Sequence, residues 1–416
     1  MRHEGPVSRR DAAVGVFAAG ALWGVLFAVG FTQYTSNASV LATGLGGLGL
    51  LGVWSARRRF LHDTSLLARW GRWLHTVSHD LVAFAVVNMT GRQVRDFISS
   101  HWNLHPSPTL VTLGVALIAT LTWWLSNRVL WRVIEASLYV ALFVSVWTAY
   151  VVLRHGGYDG NHLATVVGSG SSSAMVLRGV AVAVVSYVVV DLVVSRWSDA
   201  RATTLSVVRP AIVLVTLLAM GLSYVVVTGA GTFTSNIPFT FAGVASTYGG
   251  HGLQSACELL YVELLLISSV VLLRDVRDSR VAGVSFAGGV SSASAWALRS
   301  AGVLLIVSLP LGIAESFQLG VMVALVGWFV VALRAMLRVS RDGEAWYEWF
   351  PPVVAAAVTS LGLYGAVNRS LSWDGHGASQ HVTQTILVVA AVTAAFYYLV
   401  VRRDGRQGPG AISLDE

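Results

Sequence analysis

The sequence predicts an all-α, polytopic helix bundle embedded in a membrane, and three observations predict it. Hydrophobic residues make up 55% of the 416 and charged residues only 12%, with a mean hydropathy of +0.67. That balance leaves too little polar surface to cover a water-soluble globule of this size. Apolar runs of about 20 residues, the length a helix needs to cross a bilayer, recur along the whole chain. Arginines gather in short clusters between those runs, and every second connection is nearly without them.

In chain order the runs place spans at 12–31, 38–54, 73–90, 109–125, 133–153 and 174–195. A second six lie at 205–228, 253–273, 293–314, 319–337, 353–367 and 386–401, roughly twelve in all within a range of ten to twelve. The first follows Arg9 and Arg10 and has no small-residue cleavage site behind it, so it reads as a retained helix rather than an export signal. The second holds Gly44, Gly46, Gly47, Gly49 and Gly52, small residues that let helices approach closely. Residues 58–73 set Phe60, Leu61, Leu66, Leu67, Trp70 and Trp73 among arginines and read as an amphipathic helix on the cytoplasmic face. The third span carries His75, His79 and Asp80 and has only a short purely apolar core; before the fourth, Asn103 and Pro106 mark a loop. Glu135, beside Arg132 in the fifth, and Asp191, near Arg196 in the sixth, lie close to inner helix ends where they can snorkel and pair. The eighth holds Cys257, Glu258 and Glu263, and the ninth holds Arg299, with Pro310 and Gly312 able to interrupt it before Glu315.

With the N-terminus in the cytoplasm, 22 of the 28 basic residues fall on internal segments, the exceptions being Arg92, Arg95, Arg154, Arg178, Arg299 and Arg369. This is the positive-inside pattern, and it places both termini in the cytoplasm of a multi-pass protein of the plasma membrane. The same clustering assigns the net charge of +7 to the lipid bilayer as partner rather than to nucleic acid. All 28 basic residues are arginine, which excludes lysine Schiff bases and the phosphate-binding Walker lysine. A single cysteine excludes an intrachain disulfide and any multi-thiolate metal site.

Weak self-similarity divides the chain into transmembrane halves 1–200 and 201–416, the second ending in a short cytoplasmic tail. Thr35, Ser36 and Asn37 correspond to Thr234, Ser235 and Asn236. Tyr158, Asp159 and Gly160 with His162 correspond to Trp373, Asp374 and Gly375 with His376. Six spans per half make the repeats parallel, a layout that resembles the six-plus-six plan of major facilitator transporters. The loop after the second span reads Ser55, Ala56, Arg57, Arg58, Arg59 rather than that class's Asp-Arg and Gly-Arg pattern, so the likeness is one of layout.

Ionisable residues inside a span are costly and so are candidates for function. Glu263 lies near mid-span in the eighth, with Glu258 five residues earlier and about 140° away around the helix. Arg299 on the next span is the expected counter-ion. This favours an ion-gradient-driven permease for a small solute, with Glu263 as coupling acid and Glu258 as outer access acid. No cofactor is expected. A second set, His162, Asp159, His376, Asp374 and His381, lies in outer loops and has the donor types of a metal or pH-sensing site. Cys257 followed by Arg299 and Arg338 resembles the Cys, Arg, Arg order of the exosortase and archaeosortase transpeptidases, which implies the alternative of a membrane-embedded thiol enzyme. Glu258 and Leu259 stand where those enzymes carry a Ser or Thr and a Gly. A non-catalytic scaffold subunit is the third reading. The topology is open to test: a reporter active only in the cytoplasm, fused after Glu416, should give signal, whereas a stably expressed but silent fusion means an odd number of spans.

Overall fold

The computed structural model describes residues 39–58, 66–157, 202–230, 240–278, 313–343 and 345–367, together with 9–11, 13–18, 20, 176, 180, 183, 187, 190, 191, 389–394 and 397. Among these the secondary structure is almost entirely helical, without a strand. The helices are α1 (Ser39–Arg58), α2 (Leu66–Trp102), α3 (Pro108–Leu121), α4 (Asn127–Arg154), α5 (Ala202–Ala230), α6 (Thr240–Asp278), α7 (Ile313–Asp342) and α8 (Phe350–Val367). Five of them, α1, α4, α5, α6 and α7, are long and apolar enough to cross a membrane.

Local chemistry sets the helix ends. Pro108 opens α3 at a position where its missing N–H costs nothing. The Ser126 hydroxyl accepts a hydrogen bond from the Val129 N–H and caps α4. Left-handed residues follow the last turns of α2, α4 and α7 at Asn103, Gly156 and Gly343, the conformation that stops a helix with its carbonyls satisfied.

On α2 the structure differs from the sequence reading in two places. The third span, weakened on paper by His75, His79 and Asp80, is the middle of a 37-residue helix. Burial of its stretch from Leu81 to Val87 on all sides makes up for those polar side chains. Leu66 to Trp73, expected in a separate amphipathic helix, form the first two turns of the same α2. Trp70 Nε1 donates to Thr393 Oγ1 at 3.1 Å and Trp73 Nε1 to the Val392 carbonyl at 2.9 Å, so both indoles dock against the 389–394 segment.

Glycine-mediated contacts give the helix directions. Gly47 meets Thr216 and Gly44 meets Met220, so α1 is antiparallel to α5; Gly52 meets Ala355 and Gly49 meets Val358, so it is antiparallel to α8. The glycine run of α1 therefore faces neighbours on more than one side, with Gly46 against Ala183 and Tyr187. α2 runs antiparallel to α3, where Gly91 meets Thr112, to α6 and to α7. One end of the bundle accordingly collects Arg58, Arg128, Arg132, Arg209, Arg334, Arg338 and Arg341, while Arg92, Arg95 and Arg154 lie toward the other. Glu135, expected to pair with Arg132, is instead gripped at the arginine-rich end by Arg10, at 2.6 and 3.2 Å.

The exterior is apolar where a membrane would cover it. Leu110, Leu113 and Leu117 of α3 and Val140, Phe143 and Trp147 of α4 are exposed, and Trp102, Trp124 and Trp346 stand exposed near helix ends. Aromatic residues in that position suit the boundary between hydrocarbon and water. Steric room separates two glycines. A methyl on Gly320 would lie 2.9 Å from Val82 Cγ2 and 3.0 Å from Leu81 Cβ, whereas one on Gly114 meets nothing within 4 Å. Gly320→Ala should cost about 1–3 kcal/mol through overpacking, and Gly114→Ala should be neutral or stabilise by up to about 1 kcal/mol. Thermal midpoints in detergent check this, and equal shifts would contradict the packing.

Candidate functional site

α6 is not continuous. Gly250 has φ 75° and ψ −177°, a conformation that a side chain would not tolerate, and it divides the helix into Thr240–Gly249 and His251–Asp278. Just beyond the break, the first two turns of the second part present His251, Gln254, Ser255 and Glu258. His251 Nδ1 lies 3.4 Å from Gln254 Oε1, and Gln254 Nε2 donates to Glu258 Oε1 at 3.0 Å. From the last turn of α2, His101 Nε2 approaches Glu258 Oε2 at 3.6 Å and Ser255 Oγ at 3.3 Å. His155, at the end of α4, packs its ring 6.0 Å from Tyr248 just before the break.

His101 Nδ1 lies 3.1 Å from the Phe97 carbonyl and 3.0 Å from Ser100 Oγ, which itself donates to that carbonyl at 3.0 Å. Nε2 faces the Ser255 hydroxyl and the Glu258 carboxylate. The cluster thus presents an imidazole, a hydroxyl and a carboxylate side by side, and Phe97, stacked at 4.3 Å, holds the ring in place. Among the described residues no three His, Cys, Asp or Glu side chains gather as a metal site requires.

Glu263 lies near the middle of the second part of α6, half-buried, and makes no hydrogen bond or ion pair among the described residues. It shares a helix face with the exposed Leu259, while Glu258 turns toward α2. The 140° separation read from the sequence thus sends the two acids to different surroundings. Cys257, on a third face, is buried, and its sulfur lies 3.3 Å from Thr148 Oγ1 of α4. Arg338 is exposed and bound to Asp342 at 3.2 Å. Because Ser255 sits at His101 and Val330 sits at Gly71, positions about 45 Å apart along α2, the thiol and Arg338 lie toward its opposite ends. Arg299, His162, Asp159, His376, Asp374 and His381 lie outside the described residues.

Sequence reasoning missed a second polar cluster. Asp191, expected near an inner interface beside Arg196, is wholly buried; its Oδ2 accepts from Trp328 Nε1 at 2.6 Å and lies 3.5 Å from His75 Nδ1. His79 and Asp80, one turn along α2, are buried as well. The signal was present in the i, i+4 spacing of His75 and His79 within an apolar helix, where an ionisable residue marks function by default.

No protein-family model matches the chain, and no curated protein is similar to it. The chemistry of the site therefore rests on its geometry. Burial against Thr148 leads to a direct test of the thiol: a membrane-permeant maleimide should label Cys257 only after denaturation. Labelling of the native protein within minutes would show a thiol open to reagents.

Proposed function

We propose that the chain is a membrane-embedded secondary permease that moves a small solute at the expense of an ion gradient. The observation that carries this reading is the break in α6. Transporters build binding sites at interrupted helices, because the interruption leaves backbone groups and nearby side chains to meet a solute in a region otherwise saturated with internal hydrogen bonds. Here the break at Gly250 is lined by His251, Gln254, Ser255, Glu258 and His101. In the proposal Glu258 with His101 receives ions at the outer mouth, Glu263 is the coupling acid, and Arg299 is its counter-ion. The bundle would hold about twelve spans in two parallel sixes, in the plasma membrane with both termini cytoplasmic. The outer set His162, Asp159, His376, Asp374 and His381 would join the mouth as a pH-sensing or metal-binding group.

The thiol-enzyme alternative finds less support, since Cys257 is buried and Arg338 stands at the far end of α2. Proteoliposomes containing the full chain, screened with amino acids, sugars and organic acids for solute-induced charge or proton movement, provide the test. Glu263→Gln should lose gradient-coupled uptake and Cys257→Ala should keep it. Normal uptake in Glu263→Gln with loss in Cys257→Ala would favour the thiol enzyme. Indifference to both would favour a scaffold subunit.

A further inference from the structure

α4 is the spanning helix that protein covers least. Of its apolar stretch 22% is buried, against 56–67% in α1, α5, α6 and α7. Its buried positions, Leu130, Ile134, Ala141, Ser145, Thr148 and Val152, lie on one side, where α5 and α6 pack. The opposite side is exposed from end to end: Arg128, Arg132, Tyr139, Phe143, Trp147 and Tyr150 fall within about 100° of one another around the helix axis. The aromatic rings run on from one to the next, with Phe143 stacked on Trp147 at 6.5 Å and Trp147 lying 5.8 Å from Tyr150.

At the arginine-rich end of this face the charges do not balance. Arg10 donates to both oxygens of Glu135, at 2.6 and 3.2 Å, and the Tyr139 hydroxyl donates to one of them at 3.2 Å. Glu135 is the only acid on α4, so its capture leaves Arg128 and Arg132 exposed and without an ion pair among the described residues. Two guanidinium groups one turn apart repel each other, and each carries the planar, paired donors that match a phosphate. Trp124 and Leu125 just before the helix, with Val129 and Val133 beside the pair, add exposed apolar surface at the same level. From Arg132 to Phe143 the face rises about 16 Å, close to half the thickness of a bilayer's hydrocarbon core. Unanswered positive charge below and an apolar, aromatic track of one leaflet's depth above are the two halves of a lipid's own chemistry.

A second copy of the chain is the competing occupant, and the face is poorly made for it. A two-fold axis along the membrane normal would set α4 parallel to its copy and bring four guanidinium groups together with no free acid on either helix. Close approach of helices in a membrane also calls for small residues, and α4 has no glycine, whereas α1, α2 and α7 meet their neighbours through glycines. A zwitterionic lipid offers the same phosphate but brings a cation of its own. An anionic lipid alone supplies both the phosphate and the missing charge.

We propose that the exposed face of α4 binds one anionic phospholipid of the arginine-rich leaflet, its headgroup phosphate held by Arg128 and Arg132 and its acyl chains lying along Tyr139 and Phe143. The Arg10–Glu135 pair is what makes the site, because it removes the one acid that would otherwise neutralise the two arginines. The site is separate from the break in α6 and needs no solute.

Native mass spectrometry of the purified full chain, incubated in detergent with phosphatidylglycerol or with phosphatidylcholine of the same chains, tests this. The wild type should retain one phosphatidylglycerol at a concentration about tenfold below that needed for phosphatidylcholine. Arg128→Gln combined with Arg132→Gln should abolish the preference, and Arg338→Gln combined with Arg341→Gln, which removes equal charge at the same end of α7, should keep it. Equal retention of the two lipids by the wild type overturns the proposal, as does a preference that survives loss of Arg128 and Arg132. A preference lost equally in the α7 variant would show only the general field of the arginine-rich end, and overturns it too. Should the α4 double variant fail to fold, Arg128→Gln alone decides, an unchanged preference counting against the site. Crosslinking between two copies through Phe143→Cys in a Cys257→Ala background would put a second chain on this face and end the lipid assignment.

Discussion

The close approach of α2 and α7 is the constraint on which the rest of the arrangement depends. A side chain at Gly320 would push the two helices apart, and with them would go the Ser78 bond to the Gly320 carbonyl and the alignment of Trp328 with Asp191. Between apolar helices in a membrane there is no hydrophobic drive to associate, so packing distance itself supplies the attraction. Glycine at the contact is how that distance is reached. α1 follows the same rule with α5 and α8, through Gly47 and Gly52.

Polar side chains in the bundle divide by what they bond. Thr43, Thr148, Thr216 and Thr359 each return a hydroxyl hydrogen to the carbonyl four residues back, which satisfies the donor within its own helix and lets the residue sit in an apolar setting. Some of them also reach across. Thr90, whose hydroxyl donates to the Val86 carbonyl at 2.7 Å, lies 2.8 Å from Ser269 Oγ and 3.2 Å from the Leu265 carbonyl, tying α2 to α6, and Thr43 meets Ser223 at 3.4 Å between α1 and α5. These ties are each worth about 1 kcal/mol or less, so they fix register more than they hold the bundle together. Ionisable groups are the expensive exceptions, and two sets of them lie along α2, at His101 and at His75.

That helix is the element common to both sites. Its last turns bring His101 to the break in α6, and its first half brings His75 to Asp191. A 37-residue helix packed on α3, α6 and α7 is stiff enough to place both sets, and its long buried middle separates them. Motion of α2 against α7 would therefore be felt at both ends, which is the physical sense in which the two clusters share one support.

Composition and the spacing of arginines determined that the described residues are helical, that five of their helices are apolar enough to cross a membrane and that most of their arginines lie toward one end, because each follows from local chemistry repeated along the chain. The loop at Asn103 and Pro106 and the separate faces of Glu258 and Glu263 were likewise legible, being properties of local sequence. Other features depended on contacts between residues far apart in sequence. His75 and Asp191 are 116 positions apart and Trp328 a further 137, and nothing local tells a polar residue whether its neighbours will be lipid, water or a complementary side chain. The same ambiguity hid the partner of Glu135, which sits at the arginine-rich end as expected but is bonded by Arg10, 125 positions away. Gly250 shows the limit from the other side: the sequence places four glycines within ten residues there, and only the packed chain decides which of them takes the left-handed conformation that breaks α6.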